Sequence, residues 1–203
     1  MGGMWGGAEG ERPAIFGFEK AEELIAPVEQ EVRAAFGHHV FAIDNETMED
    51  VVGKLLKAKG MSLAVIEDLT GGMIAQRLQQ AARESLVEAM IAHTEEPLRR
   101  VLRHSRQPQR VEELLQDDAA LTEEPAYGIR IHSQADLGLA VRAIPDRTRT
   151  TQNLSPGTTY IAVADPNGLH TREYNFAGRG NPDLTRITMH AMNLVRRTLE
   201  GTV

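Results

Sequence analysis

Residues Glu67-Asp68-Leu69-Thr70-Gly71-Gly72 set two carboxylates beside a hydroxyl and a pair of glycines. A carboxylate at Asp68 can act as a general base on water if a histidine such as His93, or an arginine, lies nearby. It can instead cap the helix that starts near Gly71, where free N–H groups and the helix dipole stabilise it by about 0.5–2 kcal/mol. Thr70, Gly71 and Gly72 can offer backbone N–H groups to a phosphate, or simply allow a tight turn. Glu67 and Asp68 would repel that phosphate unless they turn away. Arg142 sits inside the apolar run LGLAVRAI. A charge there needs a partner or a ligand, because unpaired burial is costly. Asp68 and Asp146 are the candidates. Arg99, Arg100, Arg103, Arg106 and Arg110 can contact phosphate, or form a solvated face balanced by Glu95, Glu96, Glu112 and Glu113. The solvated face is the simpler reading, since no aromatic residues interleave to stack on bases. His93 ends an apolar run, where a lone histidine more often serves structure.

Composition narrows the chemistry further. The chain has 203 residues and a formal net charge of −7, and it contains no cysteine. Disulfides, thiolate nucleophiles and cysteine metal sites are therefore excluded. The seven histidines show no HExxH or similar spacing, so no metal is expected, and no cofactor is implied. Lys20, Lys54, Lys57 and Lys59 are the four lysines, so no catalytic amine can come from later in the chain. The acidic balance argues against nucleic acid as the main partner. No apolar run approaches the ~18–20 residues of a membrane span. No basic, apolar leader is present, which points to a cytoplasmic protein.

The elements that position these residues follow from periodicity. Residues 1–18 are glycine-rich at their start and read as a disordered or appended leader. Residues 19–60 read as an N-terminal extension, with a helix over Glu19–Phe36 that Pro27 starts or kinks. His38–Ile43 can form a short strand. A second helix opens at Thr47, with Asp50 completing a capping box, a face of Val51, Leu55 and Ala58, and a stop at Gly60. Residues 61–203 read as one α/β domain. Met61–Ile66, Leu137–Ile144 and Gly157–Ala164 are strands, and Met73, Ala75, Leu78 and Ala81 mark a helix from near Gly72. Leu86–Ala92 fits strand or helix, Glu96–Arg110 is helical at least in part, and Val111–Ser133 is polar and indistinct. Pro145–Ser155 is a loop. Asp165-Pro166-Asn167-Gly168 is a hairpin turn that pairs His170–Phe176 with the preceding strand. Asn181 caps a last helix with Pro182 in its first position, a stripe of Leu184, Ile187, Ala191 and Leu194, and an end at Gly201. Tyr160 and Met73 are assigned to the core. The sum is a three-layer α/β/α sandwich with a mixed sheet of about five strands, preceded by a helical extension.

Several of these segments carry a family likeness. AEELIAPVEQEVRAAFG, NETMEDVVGKLL, LAVIEDLTGG, LGLAVRAI, PGTTYIAVADPNG and the final helix stand in the order and spacing of the CinA family. The stretch from about Glu19 to Val203 resembles its C-terminal domain and the linker before it. The large molybdopterin-binding-like N-terminal domain of full-length members is not in this sequence. The resemblance implies a five-stranded mixed sheet. It also implies the nicotinamide-nucleotide amidohydrolase activity of the stand-alone PncC type, in which NMN and water give nicotinate mononucleotide and ammonia.

The departures fall on the chemistry. Where the family has Glu-Ser-Cys-Thr-Gly-Gly, with serine as nucleophile, this chain has Asp68 at the serine and Leu69 at the cysteine. The tyrosine and lysine of the family's Tyr-Ser-Asn-x-x-Lys segment fall on His93 and Leu98. The substrate loop Thr-Gly-Ile-Ala-Gly-Pro reads Arg142-Ala143-Ile144-Pro145-Asp146, and the arginine after Phe-x-Gly-Asp is displaced. No lysine follows Lys59, so the lysine-assisted serine mechanism is excluded however the gaps are placed. A carboxylate attacking an amide would form an anhydride, an uphill route. Three readings follow. The first is a catalytically degenerate domain that binds a pyridine nucleotide, another phosphate ligand or a protein, through Thr70, Gly71, Gly72, Arg142, Gly157 and Thr158. The second is a hydrolase of NMN or a related amide in which Asp68 and His93 act on water. The third is an oligomeric partner of a separate chain carrying the family's N-terminal domain. Self-association into a homo-oligomer is expected in each.

Overall fold

The structure, a computed structural model, describes residues 14–42, 45–146, 157–178 and 180–203. The leader expected over residues 1–18 lies outside the described residues up to position 13. The loop expected over Pro145–Ser155 does so from position 147. Two units emerge, dividing after Phe41. The first contains α1 (Ala14–Phe36), a helix that runs through Pro27. Its apolar residues Leu24, Ile25, Val28, Val32 and Phe36 are all exposed. A single 3-10 turn, Gly37–His39, and irregular chain to Ala42 replace the strand expected over His38–Ile43. Gly37 takes φ +49°, which bends the chain away from an extended path.

The second unit begins with α2 (Met48–Lys59). Both halves of the capping box form between Thr47 and Asp50, and Gly60 ends the helix in the left-handed conformation. The buried face is Met48, Val52, Gly53 and Leu56, one position removed from the expected Val51, Leu55 and Ala58. Gly53 explains the offset. A Cβ there would lie 2.2 Å from the Ala81 carbonyl oxygen, so the two helices touch at the glycine and the helix is rotated to suit.

The rest alternates as an α/β chain: β1 (Leu63–Glu67), α3 (Met73–Ala81), β2 (Leu86–Ile91), α4 (Glu95–Leu102), one turn of α5 (Val111–Leu114), α6 (Ala120–His132), β3 (Leu137–Pro145), β4 (Gly157–Ala164), β5 (Leu169–Tyr174) and α7 (Asn181–Glu200). The sheet order is β2-β1-β3-β4-β5. β1 runs parallel to β2 and β3, while β3-β4-β5 is an antiparallel meander. Every residue of β1 is buried, as a central strand covered on both faces requires. Leu63, Val65, Leu139, Val141, Ile161 and Val163 pack under α2, α3 and α7. Ala64, Ile66, Ala140, Ala162 and Ala164 pack under α4 and α6, where small residues let the helices approach closely. This is the expected three-layer sandwich. Ser62 and Asp136 clasp the entry to the β1–β3 pair: Ser62 gives its N–H and its hydroxyl to the Asp136 carboxylate, each at 2.8 Å, and its oxygen accepts the Asp136 N–H at 3.1 Å.

Local expectations shift in four places. The helix expected over Glu96–Arg110 ends at Leu102, and a 3-10 turn covers Pro108–Arg110. Val111–Ser133, indistinct by pattern, holds α6, whose buried face includes Thr122, Glu124 and Gly128. Gly180, not Asn181, precedes α7, and Asn181 is its first residue. Tyr160 and Met73 are half-buried and not core. The hairpin turn forms as expected, with Asp165 accepting the N–H groups of Asn167 and Gly168 at 2.7 Å each. Among the described residues no helix is long and apolar enough to cross a membrane.

Candidate functional site

The residues singled out from the sequence gather at one end of the sheet. Asp68 follows the C-terminal end of β1, and His93 lies two residues beyond β2. Arg142 is in β3, where Ile144 and Pro145 pair with Thr158 and Gly157 at the start of antiparallel β4. Strand ends of this kind are where open α/β sheets form their crevices.

Glu67 organises the turn. It is 1% exposed, and its carboxylate accepts the Ile74 N–H at 3.3 Å, the Ala75 N–H at 3.1 Å and the Thr70 hydroxyl. The Met73 N–H donates to the Thr70 carbonyl at 3.1 Å. The donors of the first three residues of α3 are therefore taken within the chain, two of them by an anion. Gly71 and Gly72 have φ of +61° and +98°, so the turn needs glycine at both positions. Sequence reasoning missed the role of Glu67. It gave the cap to Asp68, which does not make it.

Asp68 instead braces β1 against β3. Its carboxylate oxygens lie 3.0 and 3.3 Å from the Ala143 nitrogen, and it also accepts the Leu69 N–H. Arg142 approaches it at 3.8 Å, but gives its closer bonds, 2.8 and 3.0 Å, to Asp118. Asp118, in the connector before α6, was not among the expected partners. Burial pushes the Asp68 carboxyl above the ordinary carboxylate value, outweighing the N–H groups of Leu69 and Ala143 and the charge of Arg142.

The other assigned positions divide. His93 is exposed, and its ring carbon lies 4.0 Å from where a Gly71 Cβ would be. Among the described residues, no hydrogen bond or ion pair joins it to Asp68. Leu98 is 8% exposed and packs in the core beneath α4. Gly157 has φ +144°, and a Cβ there would meet the Ile144 carbonyl oxygen at 2.6 Å and Ala177 Cβ at 2.7 Å. Its lack of a side chain serves chain packing. Thr158 beside it is half-buried. Arg99 pairs with Glu95 and Glu112 and Arg110 with Glu113, as the solvated-face reading has it, whereas Arg106 pairs with Glu124, which is buried and was not among the expected partners.

The comparisons agree with this architecture. The family model for the CinA C-terminal domain matches residues 45–199. A CinA-like protein of Acaryochloris marina is 32% identical over 185 residues, covering 89% of this chain and 44% of the relative. A CinA-like protein of Thermosynechococcus vestitus gives the same identity and the same coverage. The chain thus spans less than half the length of these curated relatives. A CinA superfamily crystal structure from Klebsiella pneumoniae superposes with a TM-score of 0.61 at 20% identity, over 77% of this chain and 99% of that one. One from Escherichia coli gives 0.58 at 19% identity, over 83% and 98%. By the match over residues 45–199 and the relatives at 32% identity, this chain belongs to the CinA family through its C-terminal domain.

Proposed function

We propose that this CinA C-terminal domain has lost nicotinamide-nucleotide amidohydrolase activity and acts by binding a protein partner. One observation carries the reading. The position that aligns with the family's nucleophilic serine holds Asp68, and both of its carboxylate oxygens lie against the Ala143 N–H, next to Arg142. A carboxylate bound to a strand backbone is poorly placed to take a proton from water. Leu98, at the lysine position, is core. The N–H groups that begin α3 are occupied by Glu67 and Thr70, which leaves little there for a phosphate. That favours a protein over a pyridine nucleotide as occupant. The hydrolytic alternative has Asp68 and His93 act together on water, and it would need a bridge between two groups that share no bond.

Incubation of the chain with NMN tests the proposal. No ammonia above the spontaneous rate is expected, and release at a rate typical of the family would overturn it. If ammonia appears, Asp68→Ala and His93→Ala decide whether those groups produce it. Thermal shift with NMN, nicotinate mononucleotide and ADP-ribose is expected to be flat, since a ligand that binds only the native state raises the melting point. A clear shift would return the nucleotide to the site.

A second reading concerns α1. Leu24, Ile25, Val28, Val32 and Phe36 are exposed at 42–69%. The match to relatives covers 89% of the chain and so extends into residues before position 45. This stripe suits a partner with the N-terminal portion of a full-length CinA-type protein. Co-purification of the two chains is expected, and is to be lost on Val28→Glu.

A further inference from the structure

Where α7 packs on β5, a group of rings stands outside the candidate site. Tyr174, the last residue of β5, stacks on His190 of α7 with ring centroids 4.3 Å apart and an angle of 26° between the planes. Phe176 follows two residues on, its ring 5.7 Å from Tyr174 and 5.8 Å from His190. Arg186, one helical turn before His190, lays its guanidinium over the Phe176 ring at 3.8 Å from the centroid. His190 thus meets two rings, one of which already holds a cation.

The charges around this ring decide what a proton would do there. On α7 itself Arg186 acts on His190, and Asp183 answers Arg186 at 3.6 Å. β5 presents Tyr174, whose hydroxyl feels Arg172 and, from α7, Arg197. α2 and α3 present Glu49 and Arg77, bonded to each other at 2.8 and 3.1 Å, with Arg77 also donating to the Met189 sulfur at 3.5 Å. Among the described residues no carboxylate bonds to His190. His132 and His170 differ, since Glu88 at 3.7 Å and Asp165 at 3.3 Å would each welcome a proton on the ring. Burial first, and Arg186 second, hold His190 below the ordinary imidazole value. A protonated ring would gain from the Tyr174 face, but it would set a second cation beside Arg186 in a half-buried place. The stability tied to the neutral ring is therefore complete above the unfolded value, near 6.5, and is lost as pH falls through it toward the folded one.

The rings hold a segment that borders the candidate site. Phe176 is 7% exposed, and its carbonyl accepts the Thr159 hydroxyl at 2.6 Å. Ala177 is buried, and its Cβ lies 2.7 Å from where a Gly157 Cβ would be. Residues 176–178 thus lie against the start of β4, beside Gly157 and Thr158. We propose that His190 is a pH-sensitive latch on this segment: the neutral ring bridges Tyr174 and Phe176 and holds residues 176–178 to α7, and the protonated ring leaves the stack and loosens them. Mild acid thereby alters the β4 side of the candidate site. The latch does not depend on whether the domain hydrolyses NMN.

NMR of the full chain between about pH 8 and pH 5 tests it. The His190 ring is expected to titrate below the ordinary imidazole range. With the same midpoint, the nuclear Overhauser contact between the Phe176 ring and the Arg186 side chain should fade, and the heteronuclear Overhauser ratios of the Ala177 and Gly178 amides should fall. His190→Gln keeps a neutral polar side chain at all these pH values and is expected to remove the step, with residues 176–178 ordered throughout. Arg186→Gln removes the competing cation and is expected to raise the proton affinity of His190 at least about twofold. The proposal is overturned if Ala177 and Gly178 keep the same order across the His190 midpoint. It is also overturned if the loosening persists in His190→Gln, or if Arg186→Gln leaves the His190 midpoint unchanged or lower. The wild-type titration alone decides the matter should either variant fail to fold.

Discussion

Asp68→Asn and Asp68→Ala separate two things that the Asp68 carboxylate does. It accepts the Ala143 N–H across the β1–β3 pair, and it carries a charge that burial disfavours. Alanine removes the acceptor and leaves the Ala143 N–H without its partner, at a cost of about 1–3 kcal/mol. For a domain of this size each kcal/mol moves the melting temperature by roughly 2–4 °C, so Asp68→Ala should melt roughly 2–12 °C lower. Asparagine keeps an amide oxygen for the same N–H and discards the charge. The carboxyl has a raised pKa in the folded state, so its ionisation works against folding. The stability linked to its protonated form is complete below the unfolded value, near 3.9, and is lost as pH rises through the folded value. Asp68→Asn should therefore melt at or above the wild type at pH 7, and the gap should close as pH falls toward 4. Paired thermal melts of the three proteins from pH 4 to 8 read this directly. If asparagine falls as far as alanine, or if its deficit grows with pH, the charge itself is the stabiliser, acting through Arg142, and the brace argument is wrong.

Three further outcomes follow from the geometry. Glu67→Ala strands the Ile74 and Ala75 N–H groups and the Thr70 hydroxyl in a buried turn, and should cost about 3 kcal/mol or more in urea unfolding; a loss under about 1 kcal/mol would show that the turn reorganises freely. Gly157→Ala drives a Cβ into the Ile144 carbonyl at a positive φ, and should lower stability by at least about 2 kcal/mol, with the change confined by NMR shifts to β3, β4 and Ala177. The backbone and side-chain hydrogen bonds from Ser62 lower the pKa of Asp136. Its stabilising effect is complete above the unfolded value and is lost as pH falls through the folded one, so Asp136→Asn should flatten the acid limb of stability against pH; an unchanged limb would remove the clasp from the account.

The strands with apolar runs were legible because burial on both faces leaves no choice of residue. β1 is wholly buried, β3 and β4 are mostly so, and all three read as strands. The Thr47 capping box and the Asp165 turn were legible because their bonds are local. α6 was not. Its inner face uses Glu124 at 2% exposure, made tolerable by bonds from Arg106 at 2.6–2.9 Å that span 18 residues. Hydrophobic periodicity cannot register a buried charge satisfied from a distance. The same limit applies to the site. The sequence placed Asp68 beside an arginine, but it offered Asp146 as the other partner, while the structure uses Asp118 and the backbone of Ala143. Asp118 and Ala143 become visible only once the connector before α6 is folded over the end of β3.

The clasp of Ser62 and Asp136 also bears on the order in which the chain can fold. It joins residues 74 positions apart, and β1 completes its pairing only when β3 arrives. Until then β1 can pair only with β2, which together make a two-stranded parallel unit too small to be stable alone. The meander β3-β4-β5 and α7, by contrast, lie close together in sequence and can assemble as soon as they emerge. The sheet is thus closed late, by joining an early and a late half at one seam, and Ser62 with Asp136 sits at the end of that seam where the two strands first meet. A nascent or truncated chain ending before Leu137 would hold its central strand half-paired, with the β3-side edge of β1 open to whatever else is in solution.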